Sequence, residues 1–224
     1  MSRGHSSNRS PLFQSWQAEQ LPHLKEMGRR ERRAAETRVR IFRSAMRLFA
    51  ERGLSSVTVE DITEAADVGK GTFFNYFESK EHVLSVLAEI QLGKIREAKA
   101  AAESGKQPIV AVLRRMSQQI AEEPGRSGPL ARAIISTFLA SEPVRSQIAN
   151  SMAEGRRLLG RIIELGQRRG EISSRGKPER LARIFQQAAL GTMLLWSVRA
   201  DANLQTWMEE TFQHFWRGLS SGKA

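Results

Sequence analysis

The 224-residue chain contains no cysteine, so neither disulfide bonds nor thiolate metal sites can contribute to it. No apolar run approaches the roughly 20 residues that span a bilayer. The N-terminus also lacks the apolar core of a signal peptide, which leads to the expectation of a soluble, cytoplasmic protein with no membrane partner. The four histidines (His5, His23, His82 and His214) are scattered, and no phosphate-binding or dinucleotide-binding glycine motif occurs. These absences point away from an enzyme, and no catalytic residue, cofactor or metal is expected. Strand-like alternation is missing as well, and every segment reads as helix punctuated by Gly and Pro.

An apolar content of 40% is enough for a real core, and the net charge of +11 suits a nucleic-acid partner. The cationic excess is spread along the chain and does not locate that partner. A more specific signal is Thr58 to Lys80, TVEDITEAADVGKGTFFNYFESK. Its spacing predicts a helix from Val59 to about Ala66, a tight turn at Asp67-Val68-Gly69, and a second helix from about Lys70 to Phe77. Thr58 is a good N-cap, and Asp61 three residues later makes a near capping box. Ile62, Ala65, Ala66, Val68, Phe73 and Phe77 form the inner side. Thr72, Asn75 and Tyr76 are left outward, with Lys70 and Gly71 at the start of the second helix. This is the pattern of a helix-turn-helix that reads a major groove, although an ordinary surface hairpin of two helices has the same periodicity.

The flanks extend the pattern. Ile41, Ala45, Leu48 and Phe49 make an apolar stripe on a preceding helix that starts near Ala34 and stops at Gly53. Ser79 caps a following helix, Lys80 to about Ala102, which carries Val83, Leu84, Leu87 and Ile90. The ordered set Thr37-Arg38, Phe49, Gly53, Thr58-Val59, Ile62, Ala65-Ala66, Val68, Lys70-Gly71-Thr72, Tyr76-Phe77 and Ser79-Lys80-Glu81 closely resembles the N-terminal DNA-binding domain of the TetR family of bacterial transcriptional regulators. Three positions depart from that family. Asp67 stands for a glycine and tolerates a left-handed turn. Gly69 replaces a serine N-cap, and Phe74 replaces a tyrosine, which leaves only packing against the sugar-phosphate backbone.

The resemblance implies an all-α, TetR-like fold with a three-helix DNA-binding domain and a helical ligand-binding and dimerisation domain. The expected division is a flexible basic extension over 1–33, a DNA-binding domain over 34–94 with its helix-turn-helix at 58–77, and an effector-binding and dimerisation body over 95–224. Residues 1 to about 32 read as a mostly disordered tail, or as an arm whose Arg29, Arg30, Arg32 and Arg33 reach DNA. Thr72 and Asn75 are the residues expected on base edges, with Lys70 and Gly71 beside them. Thr37, Arg38, Thr58, Tyr76 and Lys80 are expected on phosphates, with Phe74 on the backbone.

Beyond residue 100 the aromatics gather in the last two helices, where Ala189, Thr192, Leu195, Trp207, Phe212, Phe215 and Trp216 recur at helical spacing. They read either as intramolecular core or as a dimer interface. The resemblance implies the latter, two helices from each copy forming a four-helix bundle. Met116, Ile120, Phe138, Met152, Leu159, Phe185 and Trp196, with Arg156 if it faces inward, are candidates for an effector pocket or for plain core. The function that follows is a homodimeric repressor on a palindromic DNA operator, nucleoid-associated through that DNA and released by a small hydrophobic effector. The alternative is a DNA-bound scaffold that acts through a protein partner. A hollow apolar body would favour the first.

Overall fold

Gly28 and Glu31 start the first helix five residues ahead of Ala34. In the computed structural model, which describes residues 28–122, 124–126, 128–199 and 203–219, α1 spans Arg29–Arg52. The Gly28 N–H donates to Glu31 Oε2 at 3.0 Å, which sets a carboxylate at the positive end of the helix. Arg29, Arg30, Arg32 and Arg33 are therefore exposed helical residues and not an extended arm. The expectations for residues 1–27 lie outside the described residues. Ile41, Ala45, Leu48 and Phe49 are buried along one face of α1. Gly53 ends it with φ at 77° and its N–H on Phe49 O, a conformation that favours glycine.

Helices α2 (Val59–Ala65) and α3 (Lys70–Phe74) close over that face. Ile62 and Phe73 are fully buried in the shared core with Phe49, and Ser44 Oγ pins α1 to α2 through Ala65 O at 3.0 Å. Regular helix in α3 stops at Phe74 instead of running to Phe77. The chain turns onward through Tyr76, and the Phe77 N–H still reaches Phe73 O at 3.0 Å, which keeps Phe77 inside. The following helix begins with a 3-10 turn, His82–Leu84, whose first N–H is taken by Ser79 Oγ at 3.2 Å. Helix α4, Ser85–Glu103, then continues without a break past residue 94. Its Val86, Leu87 and Ile90 complete the core under α1 to α3, while Ala98 and Ala102 belong to a second core.

The body is built from α5 (Ile109–Glu122), a 3-10 turn (Pro124–Arg126), α6 (Gly128–Ala140), α7 (Glu142–Arg168), α8 (Pro178–Arg199) and α9 (Leu204–Leu219). No strand occurs among the described residues. Pro129 and Pro143 lie in the first turns of α6 and α7, where a missing N–H costs nothing. Those helices therefore begin at Gly128 and Glu142, one residue ahead of each proline. Ile109, Leu113, Met116, Ile162, Phe185 and Phe212 anchor the second core, where Phe185 and Phe212 meet edge to face at 6.5 Å. Leu130 of α6 is buried in the first core, so the body and the unit of α1 to α3 pack together there.

Candidate nucleic-acid interface and ligand cavity

The cap of α2 is a closed set of hydrogen bonds. Asp61 N–H donates to Thr58 Oγ1 at 3.1 Å, and both the Thr58 N–H and its hydroxyl donate to Asp61 Oδ2 at 2.8 Å. Those two donations from Thr58 hold the Asp61 carboxyl below its ordinary range. After α2 the chain reverses at Asp67, the one non-glycine residue with positive φ (51°) among the described residues. Gly69 then caps α3 without a side chain, and the Phe73 N–H accepts the role of first helical donor to Gly69 O at 3.1 Å.

This places Lys70, Gly71, Phe74 and Asn75 on the exposed side of α3, with Thr72 half-buried beside them. A Cβ on Gly71 would meet nothing within 4 Å, so this end of α3 is bare backbone open to close approach. The Lys70 ammonium is hydrogen-bonded to the exposed Glu60, whose carboxyl it holds below the ordinary range. Phe74 stands 49% exposed with its ring edge-on to Phe73 at 5.4 Å. Tyr76 is half-buried against the core instead of fully outward.

Two expected phosphate contacts have other partners here. Lys80 Nζ donates to Leu54 O at 2.8 Å and Val57 O at 2.6 Å, closing the loop between α1 and α2. Arg38 forms a forked pair with both Glu89 oxygens at 3.1 Å and lies over the Phe77 ring, which binds α1 to α4. Each sits partly buried against acceptors supplied by tertiary packing. Thr37 Oγ1 donates to Arg33 O at 2.9 Å within α1.

Between α4 and the body helices lies a cavity of about 380 Å³. Met116, Ile120, Phe138, Met152, Arg156, Leu159 and Phe185 all line it; Trp196 does not. Trp196 is buried instead in a separate cluster with Leu204 and Met208, because α8 turns that ring toward α9. Gln91, Ser151 and Gln186 were missed by periodicity, which searches for apolar residues. Arg156 Nη1 donates to Gln186 Oε1 at 3.3 Å, and Gln186 Nε2 in turn donates to Met152 O at 2.9 Å. Arg157 is exposed. Leu84, Leu87 and Leu130 belong at once to the cavity wall and to the core under α1 to α3. A more open groove of about 1020 Å³ runs between Arg52 and Leu54 on one side and Arg132 and Thr137 of α6 on the other.

The residues expected at a dimer interface divide. Phe212 is fully buried, and Ala189, half-buried, lines the cavity. Trp207, Phe215 and Trp216 are partly buried against the cores. Thr192 and Thr211 share a hydrogen bond of 2.8 Å between α8 and α9. Leu195 is 63% exposed, and Ile184 and Val198, not anticipated, are exposed with it.

Residues 41–87 match the family model described as bacterial regulatory proteins, tetR family. The regulator TcmR of Streptomyces glaucescens is 28% identical over 185 residues, 80% of each chain. The repressor DhaR of Mycobacterium sp. (strain GP1) is 30% identical over 149 residues, 66% of this chain and 75% of that one. Among solved structures, FadR of Thermus thermophilus, a TetR-family repressor in complex with lauroyl-CoA, superposes with a TM-score of 0.63. It is 27% identical, covering 84% of this chain and 97% of its own. The SmeT–triclosan complex, 18% identical and matching 84% of this chain and 93% of that one, has a TM-score of 0.68 and shares the fold. With its helix-turn-helix and its body both matched, the chain belongs to the tetR family of bacterial regulatory proteins, and is a DNA-binding transcriptional regulator and not an enzyme.

Proposed function

We propose that the chain is a homodimeric, cytoplasmic repressor that holds a palindromic operator and leaves it when a small hydrophobic effector enters the body. The observation that carries this reading is the shared wall. Leu84 and Leu87 of α4 and Leu130 of α6 pack the DNA-binding core on one side and face the cavity on the other. A ligand that changes the packing of those side chains changes the seat of α1 to α3, because close-packed interiors transmit displacement. A hollow, mostly apolar interior also favours an effector over the scaffold reading. FadR, a relative at 27% identity, is described in complex with lauroyl-CoA, and Arg156 in this cavity suits an acidic or carbonyl-bearing ligand.

On the DNA side, Thr72 and Asn75 are the base-reading residues, with Lys70 and the bare Gly71 backbone beside them. Thr37, Thr58, Tyr76 and Phe74 take the phosphate backbone. The second copy seats on α8, whose outward residues Ile184, Ala188, Gly191, Leu195 and Val198 follow a four-three-four-three spacing. Gly191 has open space where a Cβ would stand, so two such helices can approach closely.

The test is a mobility-shift titration on the DNA immediately upstream of this chain's gene, at two salt concentrations. Saturable binding that persists at the higher salt supports a specific operator. Binding that disappears with salt and ignores sequence leaves only the phosphate term and refutes it.

A further inference from the structure

The cavity wall meets the surface at three leucines. Among the described residues that line the cavity, only Leu139, Leu190 and Leu194 are exposed, at 65%, 38% and 45%. Every other lining residue is buried or half-buried. The three come from the last turn of α6 and the middle of α8. At the start of α6 the same two helices are tied together: Arg132 Nη1 donates to Ser197 O at 3.2 Å, and Ala131 and Trp196 share a buried cluster. Leu139 lies seven residues from Arg132 and Leu190 seven from Ser197, about 10 Å along each helix. Over that stretch Ile134, Ile135 and Phe138 of α6 and Ala189 and Met193 of α8 all line the cavity. The end of α6 is itself held, because Leu139 O accepts from Arg145 Nη1 at 2.9 Å and the Ser141 N–H donates to Thr137 O at 3.0 Å. Leu139 is therefore exposed by its place in the fold and not by a loose terminus. A single exposed leucine is ordinary, but three that share one cavity wall make an apolar rim.

We infer, resting on the reading of the cavity as a ligand site, that this rim is the mouth through which the ligand enters and leaves. A ligand sheds water from its apolar end against Leu139, Leu190 and Leu194 before it reaches the interior. Arg156, the one charged residue among the described lining residues, stands on α7 and is half-buried, so the rim itself offers no partner to a charge. A charged group entering first would lose its water with nothing to replace it. The class of ligand this route admits leads with a hydrocarbon or aryl end.

The absence of cysteine makes one introduced thiol a unique attachment point. Leu139→Cys, on α6 and off the α8 stripe proposed for the second copy, is labelled with a bulky polyanionic triarylmethyl maleimide. Arg157→Cys, exposed on α7, carries the same label as the control. The probe is N-phenyl-1-naphthylamine, an uncharged dye that brightens in apolar surroundings, followed by stopped flow in the full chain. A group over the mouth obstructs both directions alike, so uptake and release should each slow by at least about tenfold while the dissociation constant stays within about twofold. Unlabelled Leu139→Cys and labelled Arg157→Cys should exchange dye at the wild-type rate. Unchanged rates in labelled Leu139→Cys overturn the inference, because the dye then passes elsewhere. Weaker affinity with unchanged uptake also overturns it, since Leu139 is then wall and not mouth. A wild-type chain that takes up no dye has no open mouth and overturns it too. The effector reading fails on a different measurement, the operator affinity of Met152→Trp, which involves no added ligand.

Discussion

Lys80→Met separates a fold-supporting role from a DNA-binding one. In this structure the ammonium donates to two carbonyl oxygens, Leu54 O at 2.8 Å and Val57 O at 2.6 Å, in a half-buried site. Hydrogen bonds from a charged donor contribute about 1.5–3 kcal/mol each, and water replaces part of that in a half-buried site. The freed side chain also regains up to about 2 kcal/mol of rotamer entropy. Methionine keeps the apolar stem, so a net loss of about 2 kcal/mol is expected. For a chain of this size that lowers the melting temperature by about 4–8 °C. The assay is thermal unfolding followed by far-ultraviolet circular dichroism, beside titrations on operator and random DNA well below the transition. The expected result is a lower melting temperature with an unchanged salt dependence of DNA binding. An unchanged melting temperature, with weaker binding to every sequence and a salt slope reduced by about one, would show that Lys80 holds a phosphate and would refute the reasoning.

Three further outcomes are expected. Asn75→Ala should relax discrimination by about 1–3 kcal/mol at one base pair of each half-site while leaving random-sequence affinity intact, as read by competition with single-substitution operators. Leu195→Glu, at the centre of the exposed α8 stripe, should convert a dimer to a monomer in sedimentation without altering helical content; a dimer that persists would move the interface elsewhere. The Asp61 carboxyl, held low by the Thr58 N–H and hydroxyl, stabilises the fold above its unfolded value. That contribution should fade as pH falls below about 4 toward the lower folded value. Asp61→Asn should flatten that part of the stability profile, and an unaltered profile would contradict the assignment.

How much of this was legible beforehand differs by element. The helix-turn-helix was readable because its determinants are local: Thr58 and Asp61 cap each other three residues apart, Asp67 tolerates a left-handed φ, and Phe73 and Phe77 share one side of a turn. The start of α1 was hidden because arginines flanking a disordered-looking tail read the same in a helix or an arm, and Glu31 was the small sign of a cap. The intramolecular partners of Lys80 and Arg38 were hidden for another reason. A cation beside a DNA-binding motif has the same sequence whether it meets phosphate or the domain's own carbonyls, and only the return of the Leu54–Val57 loop decides. In α8 apolar residues surround the helix, so periodicity could not tell Trp196, which points inward, from Leu195, Ile184 and Val198, which do not.

The most direct measurement of the central claim, that the cavity and the DNA-binding unit are coupled through a shared wall, is the operator affinity of Met152→Trp. Met152 is half-buried on α7 and lines the cavity, so the larger ring occupies ligand space without touching α1, α2 or α3. The chain should remain folded and dimeric and bind its operator at least about tenfold more weakly, a coupling of about 1.4 kcal/mol. A folded, dimeric variant that holds the operator as tightly as the wild-type chain would contradict it.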